Sequence, residues 1–386
     1  VSALCIVGAG PVGATLALAL HRAGRTVEVL EARARRGARA AAADPRSIAL
    51  SWGSREILAS VGLWEPLAAL EGGTAATPVE RLTVEQAGGF ARTTVQANEL
   101  GLPALGYVVR YDALLDAADA ALAAAGVPVR YGSAVAGLES AAGAARVQLA
   151  GGTVLETAAI ALADGGSEPH AAALDELDRH DYGQHALLCE VRAPRLAGGS
   201  ALERFCHDGV IALLPCGARH MAVWVARAAR IAALAAGDPA RALELEFRGA
   251  LGPVVSAGAP ATFPLLRRVR RARPGGRVVP IGSAAQALHP VGAQGLNLGL
   301  RDARELARAL RDTGASTDYP RVIAAYERRR RADRMLGIGA TDLLARSAVL
   351  DLAAVRVLRG AALLALDVLA PARRRLFGSF VFGLRG

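Results

Sequence analysis

A layered α/β fold (α+β overall), with an inserted β-sheet domain and a helical C-terminal region, is predicted by three observations. Residues 3–33, "ALCIVGAGPVGATLALALHRAGRTVEVLEAR", pass from strand to glycine turn to helix to strand. Short apolar strands stand directly before turn chemistry twice more and far apart, at Ala159–Ala163 ahead of Asp164-Gly165 and at Val278–Ile281 ahead of Gly282-Ser283. Between them, runs such as "HALLCEVRA" and "HMAVWVARA" alternate with the period of a strand, and the tail beyond about residue 333 reads as helices.

The whole chain sets the frame. It has 386 residues, 53% of them hydrophobic and 21% charged, which describes a packed protein long enough for two domains. Every one of its 45 basic residues is arginine, and the net charge is +10. Such a balance ordinarily raises nucleic acid as a partner, but aromatics make up only 4%, too few for base stacking, and the alanine-rich composition points to a general bias. No nucleic acid is expected. The arginine runs at Arg267–Arg273 and Arg328–Arg331 read as solvated faces, with an anion or membrane surface as the alternative. The four cysteines form no C-x-x-C pair, so a reduced, cytoplasmic setting is expected. Cys206, His207, Cys216 and His220 cluster in sequence, but "ERFCHDGVIALLPCGARHMAVWVA" reads as strand, turn, strand, and no metal site is expected. Residues 1–20 carry no charge, yet Gly8, Gly10, Pro11 and Gly13 break a membrane span, and the lack of an initiator Met reads as a trimmed start.

The first element justifies itself chemically. Gly8, Gly10 and Gly13 form G-x-G-x-x-G between strand and helix, and Glu31 ends the second strand about twenty residues on. Gly8 permits the tight turn, Gly10 admits a pyrophosphate to the backbone, and Gly13 lets helix and strand pack closely. The phosphates would rest on the helix N-terminus, and Glu31 would accept hydrogen bonds from the ribose. This is a Rossmann-like dinucleotide site. Two further strand-then-turn segments mean that the ligand is long and held from several places, which fits FAD better than NAD.

"GAGPVG", "ADGGS" and "GSAAQALHPVGAQGLNLGLRDA" together resemble the FAD-dependent aromatic hydroxylases, the class A flavoprotein monooxygenases, and most of all their ubiquinone-biosynthesis branch. "DPRSIALSWGSREILASVGLW" and "LPALGYVVRYDALLDAADAAL" resemble that branch as well, and the likeness runs from about residue 4 to about 335. The resemblance implies an FAD-binding domain at 1–75, 101–175 and 272–335, a substrate domain at 76–100 and 176–271 covering the flavin, and a C-terminal helical region at 336–386. It places Arg46 and Arg110 near the flavin or its phosphates, and gives Asp164 and Gly165 a part in FAD and nicotinamide binding through local structure. Gly282 and Ser283 would meet the ribityl and phosphate region, and Gly292, Gly295, Leu296 and Asn297 would wrap the flavin edge. Ser283 departs from the wider family, which has Asp there, so FAD is expected to be held less tightly. His289 and Pro290 are expected to shape the flavin turn, with no side chain acting as an indispensable base.

The same resemblance implies the reaction. NAD(P)H binds transiently and reduces FAD, and a flavin C4a-hydroperoxide passes one oxygen of O2 to a lipophilic, prenylated phenol in ubiquinone biosynthesis. The rival readings are a flavin reductase or oxidase that does not oxygenate, and a non-catalytic FAD-binding assembly subunit. The arginine-rich amphipathic tail reads either as a packed helical cap or as a contact with a membrane surface or a biosynthetic complex, which would make the protein cytoplasmic but peripheral to the inner membrane.

Overall fold

The computed structural model describes residues 4–35, 44–70, 75–89, 91–141, 143–166, 168–311, 318–350 and 352–383. The chain opens with β1 (Leu4–Val7), α1 (Pro11–Arg22) and β2 (Val27–Leu30). It continues through β3 (Ser47–Ser51), α2 (Trp52–Ser60), α3 (Trp64–Ala69), β4 (Ala76–Val79), the hairpin β5 (Arg81–Gln86) and β6 (Arg92–Gln96), and β7 (Gly106–Arg110). Next come α4 (Tyr111–Ala124), β8 (Val129–Arg130), the meander β9 (Val135–Ser140), β10 (Ala145–Leu149) and β11 (Val154–Thr157), and β12 (Ile160–Leu162). A long antiparallel stretch follows, β13 (Leu174–Arg192), β14 (Ser200–Phe205), β15 (Gly209–Cys216) and β16 (Arg219–Arg227), then α5 (Ala228–Ala236), α6 (Pro239–Glu246), β17 (Val255–Ser256) and β18 (Ala261–Ala272). The chain returns with β19 (Val278–Pro280), β20 (Gln286–Ala287) and α7 (Gln294–Arg311), and closes with α8 (Tyr319–Ala348), α9 (Ala353–Val368) and α10 (Ala370–Phe382).

Five strands make a parallel sheet in the order β19-β12-β1-β2-β8. β1, β12 and β19 are buried at every residue, as strands covered on both faces must be. Helix α1 starts at Pro11, whose fixed φ and missing N–H suit the first helical position, and it is apolar all round because it lies between the sheet, α4 and α7. Leu16, Leu18 and Leu20 are each no more than 1% exposed. At about 1.5–3 kcal/mol per buried leucine, this packing sets the position of the glycine turn before α1.

The register of the parallel sheet positions the site. Val7 pairs with Leu30 on one side and Leu162 on the other, and Leu162 pairs with Pro280. Four segments distant in sequence therefore leave the sheet at one level, at the carboxyl ends of their strands, where open α/β sheets bind ligands.

The second large sheet runs β20-β18-β13-β16-β15-β14-β5-β6, with β17 on β13. Its alternation sorts two faces. Ile211, Leu213 and Trp224 pack with Ile231 and Leu234 of α5 and Leu243 of α6, whereas Val210, Leu214, Val223 and Val225 face the other way. The strands expected in "HALLCEVRA" and "HMAVWVARA" are neighbours here, paired antiparallel as β13 and β16. Helix α8 runs unbroken through residues 335 and 336, and α10 packs on α2, α9, β3 and β6. The four cysteines are free, and no cluster of three or more metal-binding side chains occurs among the described residues.

Candidate active site

The glycine turn does what its spacing demands. Gly8 adopts φ +104°, and a Cβ there would lie 2.4 Å from the Ala163 carbonyl oxygen. A Cβ at Gly13 would lie 1.9 Å from the Gly8 carbonyl oxygen, so strand, turn and helix touch through these two residues. Gly10 differs. Its φ is −65°, ordinary for any residue, and a Cβ there would meet nothing within 4 Å. It is also the N-cap of α1, where no side chain caps the helix and no acid stands in the first turn, which leaves its first-turn amides without a side-chain acceptor.

Glu31, 9% exposed, reaches back to this turn. Its Oε2 accepts the Ala9 N–H at 2.6 Å and its Oε1 accepts the Arg33 N–H at 2.9 Å, so the carboxylate ties the end of β2 to the glycine turn. Asp164 is likewise committed to its own loop. Oδ1 accepts the Gly166 N–H at 2.9 Å, and Oδ2 pairs with His170 Nδ1 at 2.5 Å. That hydrogen bond raises the His170 pKa above its ordinary value. Gly165 then turns with φ +81°, with open space before it. Ser167 lies outside the described residues. Gly166 packs against the Ser283 carbonyl, which brings the β12 and β19 turns together and leaves the Ser283 residue exposed.

Arg46 and Arg110 meet at one end of the β3–β7 pair, where Ser47 is opposite Arg110. Arg46 bonds Asp44 at 2.6 Å and lies over the Tyr111 ring, 4.3 Å from its centroid. Arg110 bonds Asp112 at 3.2 Å.

The late turn is built from the inside. Gly282, at φ +61°, donates its N–H to Asp302, a residue with no exposure that also accepts from Gln286 at 2.7 Å, Arg330 at 2.7 Å and Arg334 at 3.2 Å. His289 is spoken for at both nitrogens: Nδ1 accepts the Val291 N–H, and Nε2 donates to Gln184 Oε1 at 3.1 Å. Burial pushes its pKa down to about 4, so it shapes the turn as a neutral ring. Gly292 (φ +71°) and Ala293 (φ +51°) carry the reversal after Pro290. Asn297 locks it. Its Oδ1 accepts the Ser51 N–H at 2.9 Å, and its Nδ2 donates to the carbonyls of Ala49 at 3.0 Å and Ala293 at 2.6 Å. Leu296 packs on the main core, and Gly295 again faces open space.

Beside this turn lies a cavity of about 350 Å³. Residues 288–297 form one wall, Ala49 and Leu50 of β3 another, and Ala212, Leu214, Val223 and Val225 of the large sheet a third. Phe377, Phe380 and Val381 of α10 close it. Sequence reasoning did not find this aromatic wall, because only folding brings a tail helix to residues hundreds of positions away. It also missed Asp302 and Glu203, another lining residue. Asp302 had a signal in the "GLRDA" that follows the turn; for Glu203 the only signal was a charge in a strand on the apolar face.

These residues fit a flavin dinucleotide. Neither Gly10 nor Gly295 is required by backbone angle or by packing, and the open space in front of them lets a ligand approach the backbone. Gly10 with the α1 amides would hold the pyrophosphate, Glu31 the ribose, the β12 and β19 turns the middle, and residues 292–297 the ring edge beside the apolar cavity.

The comparisons with known proteins agree. Residues 1–336 match the family model described as FAD binding domain. The chain is 30% identical over 383 residues to the ubiquinone hydroxylase UbiL of Rhodospirillum rubrum, covering 97% of this chain and 88% of the relative. It is 31% identical over 380 residues to 3-demethoxyubiquinol 3-hydroxylase of Escherichia coli, covering 94% of each. In fold it is similar to Klebsiella pneumoniae HpxO, solved with FAD and uric acid, with a TM-score of 0.78 at 17% identity over 100% of this chain and 98% of the other. The chain belongs to the FAD binding domain family. It is a FAD-dependent enzyme of the aromatic hydroxylase class.

Proposed function

We propose that this protein hydroxylates the ring of a prenylated phenol in ubiquinone biosynthesis, using NAD(P)H and taking one oxygen atom from O2. The observation that carries the reading is the apolar cavity against the late turn, together with relatives named as hydroxylases of ubiquinone and demethoxyubiquinol. Bound FAD supplies the redox chemistry, passing electrons from the nicotinamide to dioxygen. The chain supplies position and dryness. Val210, Ala212, Leu214, Val223 and Val225 line the sheet side with methyl groups, which keep water from the reacting oxygen and accept an apolar ring and the start of its tail. Gly295 and the α7 N-terminus favour negative charge at the ring edge.

The tail is read as the membrane contact. No described helix is long and apolar enough to cross a membrane. Val357, Leu358 and Val368 of α9 are nonetheless 69%, 70% and 72% exposed, and α10, which walls the cavity, adds the exposed Arg374 and Arg375. An apolar face with arginines beside it suits an anionic lipid surface from which a prenylated substrate enters.

The test is direct. Purified holoenzyme is given isotopically labelled dioxygen, NAD(P)H and a prenylated methoxyphenol, and the product is weighed. One labelled oxygen in the ring product is expected. Label found only in hydrogen peroxide, with every prenylated phenol tried, would overturn the reading in favour of an oxidase.

A further inference from the structure

Among the described residues, Glu203 is the one carboxyl-bearing residue lining the cavity. Alternation along β14 puts it there. Leu202 joins the helix-covered core and Arg204 bonds Glu85 at 2.7 Å and the Glu246 carbonyl, while Ala201 and Glu203 line the cavity. The cross-strand neighbours of Glu203 are Val84 and Ala212, with Val223 opposite Ala212 one strand further on, and none of them can pair with a carboxylate. Although the chain has 45 basic residues, Glu203 makes no hydrogen bond or ion pair among the described residues. Burial among these apolar groups pushes its pKa up to about 7. Glu203 is half-buried and meets the open space of the cavity, and a carboxyl left unpartnered in an apolar cleft is costly as structure and is where catalytic acids and bases are found.

Other groups around it do not compete. The turn contributes His289, which is held by Gln184 and the Val291 amide. β5 carries Glu85 on the opposite face, bonded to Arg204. From α9, Arg359 lies over the Phe205 ring, two positions along β14, and bonds Gln86 at 2.7 Å and the Ser347 carbonyl at 3.1 Å. β3, β15, β16 and α10 bring no charged side chain to the cavity.

We propose that Glu203 is a catalytic residue that receives the phenolic O–H of the ring substrate and takes its proton before oxygen transfer. This rests on the hydroxylase reading above. The O–H bond breaks, its electron pair stays on the ring oxygen, and the proton goes to a Glu203 carboxylate oxygen. One negative charge thus moves from carboxylate to phenolate, and the apolar cavity never holds two. The phenolate is richer in electrons at its ortho and para carbons, where an electrophilic oxygen attacks. The attacked carbon then gives up its hydrogen as a proton, its C–H electron pair restoring the aromatic ring; the proton goes to the second atom of O2, which leaves as water, and Glu203 returns its own proton to the ring oxygen.

Holoenzyme with Glu203→Gln, matched for flavin content, tests this in two ways. The rate of ring hydroxylation in the wild type rises through about pH 7 as Glu203 ionises. In the variant it falls about 10²- to 10⁴-fold at neutral pH, and recovers only as the phenol itself ionises near pH 10. Independently of turnover, a prenylated nitrophenol, whose anion absorbs visible light, binds the wild type largely as the anion below its own ionisation range and binds the variant as the neutral phenol. Equal pH profiles and equal anion fractions in both proteins would overturn the assignment. If the Gln variant fails to hold flavin, Glu203→Asp decides: the same two readouts must survive in weakened form, and their loss overturns the proposal. A wild type that hydroxylates no phenol sinks the hydroxylase reading, and the nitrophenol titration then still judges Glu203.

Discussion

Gly10 and Gly13 stand three positions apart in one turn and are glycines for opposite reasons. A side chain at Gly13 would strike the Gly8 carbonyl within the protein, whereas one at Gly10 would enter empty space in front of the α1 amides. The two roles separate experimentally. Gly13→Ala is expected to destabilise the fold by on the order of 3 kcal/mol, as overpacking against backbone does. Gly10→Val is expected to leave the melting temperature of the flavin-free protein within a degree or two, as about 0.5 kcal/mol or less would, and yet to abolish flavin retention. Wild-type flavin content in Gly10→Val, measured by absorbance after gel filtration, would remove the pyrophosphate from this turn. Asn297 carries a related lesson. It was expected to serve the flavin edge through its backbone, and its side chain proves to staple the first turn of α7 to β3 through two hydrogen bonds, with a third to the Ala293 carbonyl of its own turn.

Helix α7 joins the late turn to the rest of the protein through Asp302. Full burial works against charge on this carboxyl, but Arg334 and Arg330 outweigh it and hold the pKa below the usual carboxylate range. The cluster continues through Asp333, which bonds Arg330 at 2.5 Å and forms an ion pair with Arg301 at 3.2 Å. Asp302→Ala leaves two arginines buried without their shared partner and frees the Gly282 and Gln286 donors. A loss of about 3–5 kcal/mol in urea unfolding is expected, with flavin release accelerated as the place proposed for Gly282 on the cofactor requires. The pH dependence has a definite sign. A depressed carboxyl contributes its stability above the unfolded value of about 4 and loses it as pH falls through the folded value. The gap between wild type and Asp302→Asn should therefore be constant from about pH 5 to 7 and close below pH 4. A gap that stays constant down to pH 2 would show that the charge of Asp302 is not what holds α7.

At the scale of the molecule, the three C-terminal helices do two things that their amphipathic pattern left open. α10 turns inward and walls the cavity, held there by Arg373 on Glu99 at 2.7 Å and by close packing of Val381 on Gly53. α9 turns most of its apolar side chains outward, with Leu363 its only buried residue. Changing Val357, Leu358 and Val368 together to serine is expected to leave flavin content and melting unchanged. It should weaken binding to phosphatidylglycerol-containing vesicles by on the order of 100-fold, at roughly 1 kcal/mol for each partly inserted side chain. Wild-type binding should also fall as salt rises, as the contact proposed for Arg374 and Arg375 with an anionic surface requires. Equal sedimentation of both proteins with vesicles would overturn the proposed membrane contact of α9.

The sequence by itself determined the parts whose physics is local. Strand, glycine turn and helix at residues 4–22 follow from periodicity and from the few residues that tolerate such a turn, and so do the strand-then-turn segments that end β12 and β19. The family and its cofactor were legible for the same reason, since a phosphate held by backbone amides leaves its mark in glycines rather than in charges. What only the tertiary structure decided is non-local. The register that sets Val7, Leu30, Leu162 and Pro280 at one level depends on pairing across more than two hundred residues. The aromatic wall depends on where the last helix docks. Glu203 looked like any charge in an exposed strand until the sheet's alternation turned it into an apolar cavity, because burial is a property of a residue's neighbours and the neighbours of Glu203 lie on other strands.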